Sequence, residues 1–318
     1  MKNDPIEGAM ARLDGVDAHS AEGKQQLQKA LEGKFALVAA KAARIAGDAV
    51  LTELAGSLAS AFARLIARGA DGDKGCVALT DIARALVNLD FDDADLFKRG
   101  MKHIQMEGTY GGSVDVAAEL RAVCAMGLAN SRDAKKLQAM AELLADPEWP
   151  ARGGAARALG VVGSEAACLL LRFKALMGDP APDVVTDCLS GLLSAEGGEA
   201  LPLVGRIAES KDPERREAAL LALGASRRPD AIEWLQARFE HVADRDTKQS
   251  IVLALASSRT EAAMDFVLGL IRNESKATAV MAVSAMSVYR NDPRLREEIV
   301  KAAESRSDGA VVLREGRL

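Results

Sequence analysis

Aromatic side chains are scarce. Phe, Trp and Tyr together make up 3% of the 318 residues, with only two tryptophans and two tyrosines. Strands favour aromatic and β-branched residues, whereas helices favour Ala, Leu, Glu, Lys and Arg. The abundance of alanine and leucine therefore points to an all-α chain. Cysteine is sparse too: Cys76, Cys124, Cys168 and Cys188 stand far apart, form no CxxC pair and lie in apolar runs. That pattern suits buried thiols in a reducing compartment. No run of 18 apolar residues occurs, and "MKNDPIEGAMARLDG" lacks the apolar centre of a secretory signal. The chain reads as cytoplasmic.

Other absences bear on chemistry. His19, His103 and His241 are isolated, with no HxxxH or HExxH spacing, so no zinc site is expected. Neither a GxSxG elbow nor a recognisable cysteine-nucleophile motif occurs. Proximity of His103 and Cys124 in sequence is no sign of a dyad. Asp90, Asp92, Asp93 and Asp95 in "LDFDDADLF" fail as an EF-hand loop, because Ala94, Asp95 and Met101 stand where an oxygen ligand, glycine and glutamate are needed. They read instead as first-turn acids of the helix that follows. The net charge of −5 argues against bulk attraction to nucleic acid or anionic lipid. No metal, no cofactor and no catalytic residue is expected.

What is present is a repeat. Aligning the ends of successive apolar helices sets Ala125, Ala158, Gly191, Ala222, Ala254 and Ala285 in register, at spacings of 33, 33, 31, 32 and 31 residues. Each period holds two helical patterns. The first often follows Asp-Pro, at Asp146-Pro147, Asp179-Pro180 and Asp212-Pro213, where aspartate can cap and proline fits the first turn. The glycine of "ALG" is expected to end that helix in a left-handed conformation. Neither helix is long enough to be stable alone, so stability must come from stacking pair upon pair. Small residues in "GGAARALG" and "REAALLALG" let neighbouring helices approach closely.

The pattern "DP…R…AA…ALG…A…L" resembles HEAT repeats of the short bacterial, phycobilisome-lyase HEAT-like type. Arg152, Arg216 and Lys248 match that family's usual arginine, whereas Glu119, Val185 and Ala279 depart from it. The resemblance covers roughly residues 115–305 and implies a right-handed α-solenoid of antiparallel helix pairs. Residues 21–114 read as diverged pairs with longer connections, residues 1–20 as a mobile arm or cap, and 306–318 as a tail without helical period.

One stretch interrupts the array. "EGTYGGSVD" lacks the lysine of a phosphate-binding loop, and no strand is expected beside it. It reads as a connector whose glycines supply positive φ, with Asp115 capping the next helix, or as a binding loop anchored on Tyr110. Its Tyr110, Gly111 and Gly112, with Arg84, Arg121 and Arg157 on first helices of the pairs, form the candidate partner-binding set. The resemblance implies that these helices line a concave wall. The wider arginine set, adding Arg152, Arg215 and Arg216, also fits a ladder of inter-repeat salt bridges to the aspartates at helix starts. Trp149 and Trp234 read as packing residues.

The expectation is a non-catalytic scaffold or adaptor that binds an unidentified protein partner along its concave surface. The resemblance also implies an alternative: an enzyme related to phycobilin lyases or to alkyl-base DNA glycosylases. A glycosylase of that kind is expected to carry a basic groove with a central carboxylate and aromatics, and the charge balance and scarce aromatics count against it.

Overall fold

Within each of the two compact units of the chain, helices lie in two rows, one of them stacked side by side. The computed structural model describes residues 5–318, so residues 1–4 of the expected N-terminal arm lie outside the described residues. The helices, in order, are α1 (Pro5–Ala11), α2 (Ala21–Glu32), α3 (Ala36–Asp48), α4 (Ala55–Arg68), α5 (Val77–Asn88) and α6 (Ala94–Met101). A hairpin of β1 (Met106–Thr109) and β2 (Gly112–Asp115) follows. Then come α7 (Ala118–Asn130), α8 (Lys136–Leu143), α9 (Trp149–Val162), α10 (Glu165–Met177), α11 (Pro182–Glu196) and α12 (Leu201–Ala208). The last are α13 (Pro213–Ala225), α14 (Pro229–His241), α15 (Arg245–Ser258), α16 (Glu261–Asn273), α17 (Lys276–Met286), α18 (Pro293–Glu304) and α19 (Gly309–Glu315). The fold is an α-solenoid of helix pairs.

The chain divides into two compact units, Met1–Leu170 and Leu171–Leu318. In the first, α3, α5, α7 and α9 stack side by side, flanked by α2, α4, α6 and α8. In the second, α11, α13, α15 and α17 stack in the same way, with α12, α14, α16 and α18 beside them. The stacked row is buried on most sides, as an all-round apolar helix requires. Helix α9 buries Ala151, Gly153, Gly154, Ala155, Ala156, Ala158 and Leu159, nearly all small. Small side chains are what allow this row to pack backbone to backbone.

Several local expectations change. Only Asp212 among the three Asp-Pro aspartates is a direct cap, accepting from the N–H groups of Glu214 and Arg215. Asp146 and Asp179 sit in turns and accept from Glu148 and Ala181 N–H groups, and their helices begin three residues later. Asp292, followed by Pro293, caps α18. The "ALG" glycines do not end helices: Gly127 and Gly224 lie inside α7 and α13. A Cβ on Gly127 would meet the Phe97 ring at 2.3 Å, and one on Gly224 would meet the Ala254 carbonyl oxygen at 2.3 Å. They serve close packing rather than termination. The left-handed helix end belongs to Gly163, at φ 59°, which closes α9.

The ends of the chain are helical as well. In the N-terminal segment α1 packs on α3 and Leu13 is buried. The tail forms α19, which packs on α17 and α18 and buries Val312. It covers the last stacked helix. All four cysteines are buried, and burial pushes the Cys76 thiol up to about 12, so it stays protonated and unreactive at neutral pH. None of the described helices is long and apolar enough to cross a membrane.

Candidate functional site

The period breaks at residues 106–115 because the chain there forms strands, not the strand-free connector expected. The pairs run Met106↔Asp115, Glu107↔Val114, Gly108↔Ser113 and Thr109↔Gly112, which leaves Tyr110 and Gly111 as a two-residue turn. Gly111 has φ 110°, a conformation L side chains rarely adopt. Glycine on both strands near the turn removes side chains from the tip, and Tyr110 stands fully exposed upon it. Ile104, Met106 and Val114 near its base are also exposed. The hairpin is thus a β element with an aromatic tip, carried on a helical body.

Its base is held by a buried polar network. Gln105, 3% exposed, donates through Nε2 to the Asp73 carbonyl at 2.8 Å and to Glu107 Oε1 at 2.7 Å. Glu107 also accepts from the Gly75 N–H at 2.6 Å. His103 Nε2 lies 3.2 Å from Gln105 Oε1. Asp73, itself buried, accepts through its carboxylate from the N–H groups of Ala78 and Leu79 at the start of α5. The turn before α5 and the first strand are therefore tied together by side chains of both.

Arg121 is the second anchor, and its place corrects the expectation of a surface contact. Its side chain is 2% exposed. Nη1 donates to Asp115 Oδ2 at 2.6 Å and to the His103 carbonyl at 2.9 Å, while Nε and Nη2 grip Asp146 at 2.8 and 2.9 Å. Burying an arginine demands this degree of satisfaction. Asp115 also accepts from the Gln105 and Ala117 N–H groups. It does not cap α7, whose N-cap is Ala117 with no side-chain cap; it joins both ends of the hairpin just ahead of that helix, and Arg121 carries that joint to the turn before α9. The signal was in the sequence, since Arg121 lies three or four residues from Ala117, Ala118, Cys124 and Ala125 and so shares their apolar face.

The electrostatics follow from these contacts. Burial alone would raise the Asp115 carboxyl, but the N–H groups of Ala117 and Gln105 and the Arg121 guanidinium outweigh it and hold the group below its ordinary value. A carboxyl depressed in the fold contributes stability above its unfolded pKa of about 3.9. That contribution disappears as pH falls through the folded value. Asp73 works the other way: burial raises it despite its N–H donors, so its contribution is complete at low pH and fades as pH rises through the raised value. Hairpin amides should keep their exchange protection from pH 8 to pH 5, after correction for intrinsic exchange, and lose it below about pH 4. Loss already at pH 6 would show that Asp115 is not the controlling group.

The remaining candidates separate. Arg84 is half exposed and bonded to Asp81 at 3.4 Å and Glu119 at 2.7 Å. With Arg44–Asp81 at 3.3 Å these pairs form a ladder across α3, α5 and α7. Arg157 is exposed on α9. Arg152 donates to the carbonyls of Asp146 and Pro147, and Arg216 to that of Ser210, all within the turn before their own helix. Arg215 donates to the carbonyls of Ala175 and Leu176. An inter-repeat Arg–Asp bridge of the expected kind is made by Arg121 to Asp146, and Arg216 acts through its charge on Asp244, the aspartate that caps α15. Arg121 is buried, and Arg152, Arg215 and Arg216 donate to backbone carbonyls. Trp234 packs over Gly205, where a Cβ would lie 3.0 Å from its ring nitrogen, whereas Trp149 is half exposed. Asp93 caps α6 by accepting from the Leu96 N–H. Among the described residues no group of three or more His, Cys, Asp or Glu could hold a metal ion.

Residues 114–192 and 169–256 match the family model for HEAT repeats. A comparison with curated proteins gives no match. Among solved structures the chain is similar to the complex of CpcE and CpcF of phycocyanin lyase from Nostoc sp. PCC7120, at 15% identity over 72% of this chain and 87% of that one, TM-score 0.36. It is also similar to human deoxyhypusine hydroxylase in complex with glycerol, at 18% identity over 82% and 98% of the two chains, TM-score 0.26. A third is the Pds5–Scc1 complex, at 11% identity over 98% of this chain and 70% of that one, TM-score 0.31.

Proposed function

Residues 114–256 of this α-solenoid are HEAT repeats, and from that premise we propose that the chain is a non-catalytic scaffold that binds a protein partner through the 106–115 hairpin and the helices beside it. The observation that carries the reading is the combination of a fully exposed Tyr110 with a buried network that fixes the base below it. Tyrosine offers a large amphipathic contact area at small conformational cost, and interface energy concentrates in such anchors. A tyrosine on a free connector would lose that advantage, because the connector would have to be ordered on binding. Here the ordering is already done. Arg84 and Arg157, on α5 and α9, are the charged side chains that would meet the rim of such a partner.

The test uses the full chain in its native cell, with a photo-crosslinking residue at position 110. A discrete crosslinked protein is expected, and its affinity should fall by about 2 kcal/mol, roughly 30-fold, on Tyr110→Ala. The thermal midpoint should not move, since Tyr110 packs on nothing. A partner that binds Tyr110→Ala, Arg84→Glu and Arg157→Glu as tightly as wild type would sink this choice of surface.

A further inference from the structure

The N-terminal helices flank a second feature, a half-open hollow of different chemistry. Helices α1 and α2 and the start of α3 border a cavity of about 650 Å³, within the range of small-molecule sites. Its apolar wall is set by Leu13, Phe35 and Val38, and its charged groups are Arg12, Lys29 and Lys34. No carboxylate is among the described lining residues. The nearby acid, Asp14, is held by Lys41, which also donates to the Met10 carbonyl. A further positive charge stands behind the wall: Arg64 donates to the carbonyls of Leu31 and Gly33 at 2.6 and 3.2 Å. Lys34 lies 4.9 Å over the Phe35 ring, at the seam between wall and charge.

An apolar floor with cations of one sign is unusual on this chain, whose net charge is −5. The groove beside α16 and α18 has similar size, yet it carries Glu261, Asp265 and Glu298 with its arginines and so satisfies itself, as Arg294 does with Glu298 at 3.2 Å. Among the described residues that line the N-terminal cavity, none meets the positive charge with a carboxylate, so it is open to a ligand. Three like charges at one rim repel each other, and an anion placed among them relieves that repulsion. An apolar body attached to that anion gains from the wall.

We infer that this cavity binds a small amphipathic anion: a carboxylate or phosphate monoester head group on an apolar body. The head sits among Arg12, Lys29 and Lys34, and the body lies against Leu13, Phe35 and Val38. The site is independent of the hairpin and stands or falls separately from partner binding.

Titration calorimetry on the full chain decides it, with decanoate and decyl phosphate as probes, and decanol and acetate as controls. Saturable binding at one site is expected for one or both amphiphiles below their micellar range, and their ratio identifies the head group preferred. Decanol, which has the body alone, and acetate, which has the charge alone, should each bind at least tenfold more weakly. The Lys29→Glu/Lys34→Glu double variant changes only exposed side chains, and circular dichroism verifies its fold. It should weaken the amphiphiles at least tenfold while leaving decanol unchanged. Equal binding of decanol and decanoate, undiminished binding by the double variant, or no saturable binding of either amphiphile would each overturn the inference.

Discussion

Replacing Arg121 by methionine should destabilise the first unit by about 3–5 kcal/mol. Methionine keeps most of the apolar stem but removes every donor. Asp115 and Asp146 are then left as buried carboxylates without their counter-charge, and the His103 carbonyl loses its partner. The loss is a large share of the 5–15 kcal/mol typical of a whole domain. Urea unfolding should show it as a lower midpoint. Hydrogen exchange should place it in the hairpin, the first turn of α7 and the turn before α9. Arg121→Lys keeps the charge, but one ammonium cannot reproduce the fork on Asp146 while also reaching Asp115. It should recover only part of the loss. A methionine variant within about 1 kcal/mol of wild type would mean that the desolvation of these charges cancels their attraction.

The second large effect is expected where the stacked row is tightest. In Gly224→Ala the new methyl would lie 2.3 Å from the Ala254 carbonyl oxygen and 2.8 Å from its carbon. Both are backbone atoms of α15, so relief requires α13 and α15 to separate along their contact. Overpacking of this kind costs about 1–3 kcal/mol, against the gain of up to ~1 kcal/mol that alanine brings to a helix interior. Gly269→Ala is the matched control. It lies inside α16 with nothing within 4 Å of the added methyl, so only the propensity gain remains and stability should rise by up to ~1 kcal/mol. The two variants should therefore move the thermal midpoint in opposite directions. If both raise it, helix spacing in this row is more compliant than the contact distances imply.

That contrast separates what a linear reading can and cannot see. Alanine periodicity and small-residue runs identified the stacked helices, because helical spacing is local and repeats every few residues. The same reading assigned Gly127 and Gly224 to helix ends, since glycine's conformational role is visible in sequence and its role in a close approach is not. Only the neighbouring helix shows that a Cβ has no room there. The hairpin was hidden for a related reason. Met106–Asp115 carries few β-favouring residues, and its strands are held by Gln105, Glu107 and Asp73, whose meeting depends on the turn before α5.

The sequence alone determined the all-α class, the repeat of about 32 residues and the cysteines' burial, because composition and period are set by each helix's need to bury one face. Tertiary structure alone decided the fate of the charges. Arg121 and Arg84 both lie on first helices of the pairs, and the apolar neighbours of Arg121 foretell its burial but not its partners. One is enclosed by two aspartates and a carbonyl, and the other stands half exposed in a ladder. A charged side chain takes its role from the partners that the fold brings within about 3 Å, and the decisive ones here include Asp146, 25 residues from Arg121, and Glu119, 35 residues from Arg84.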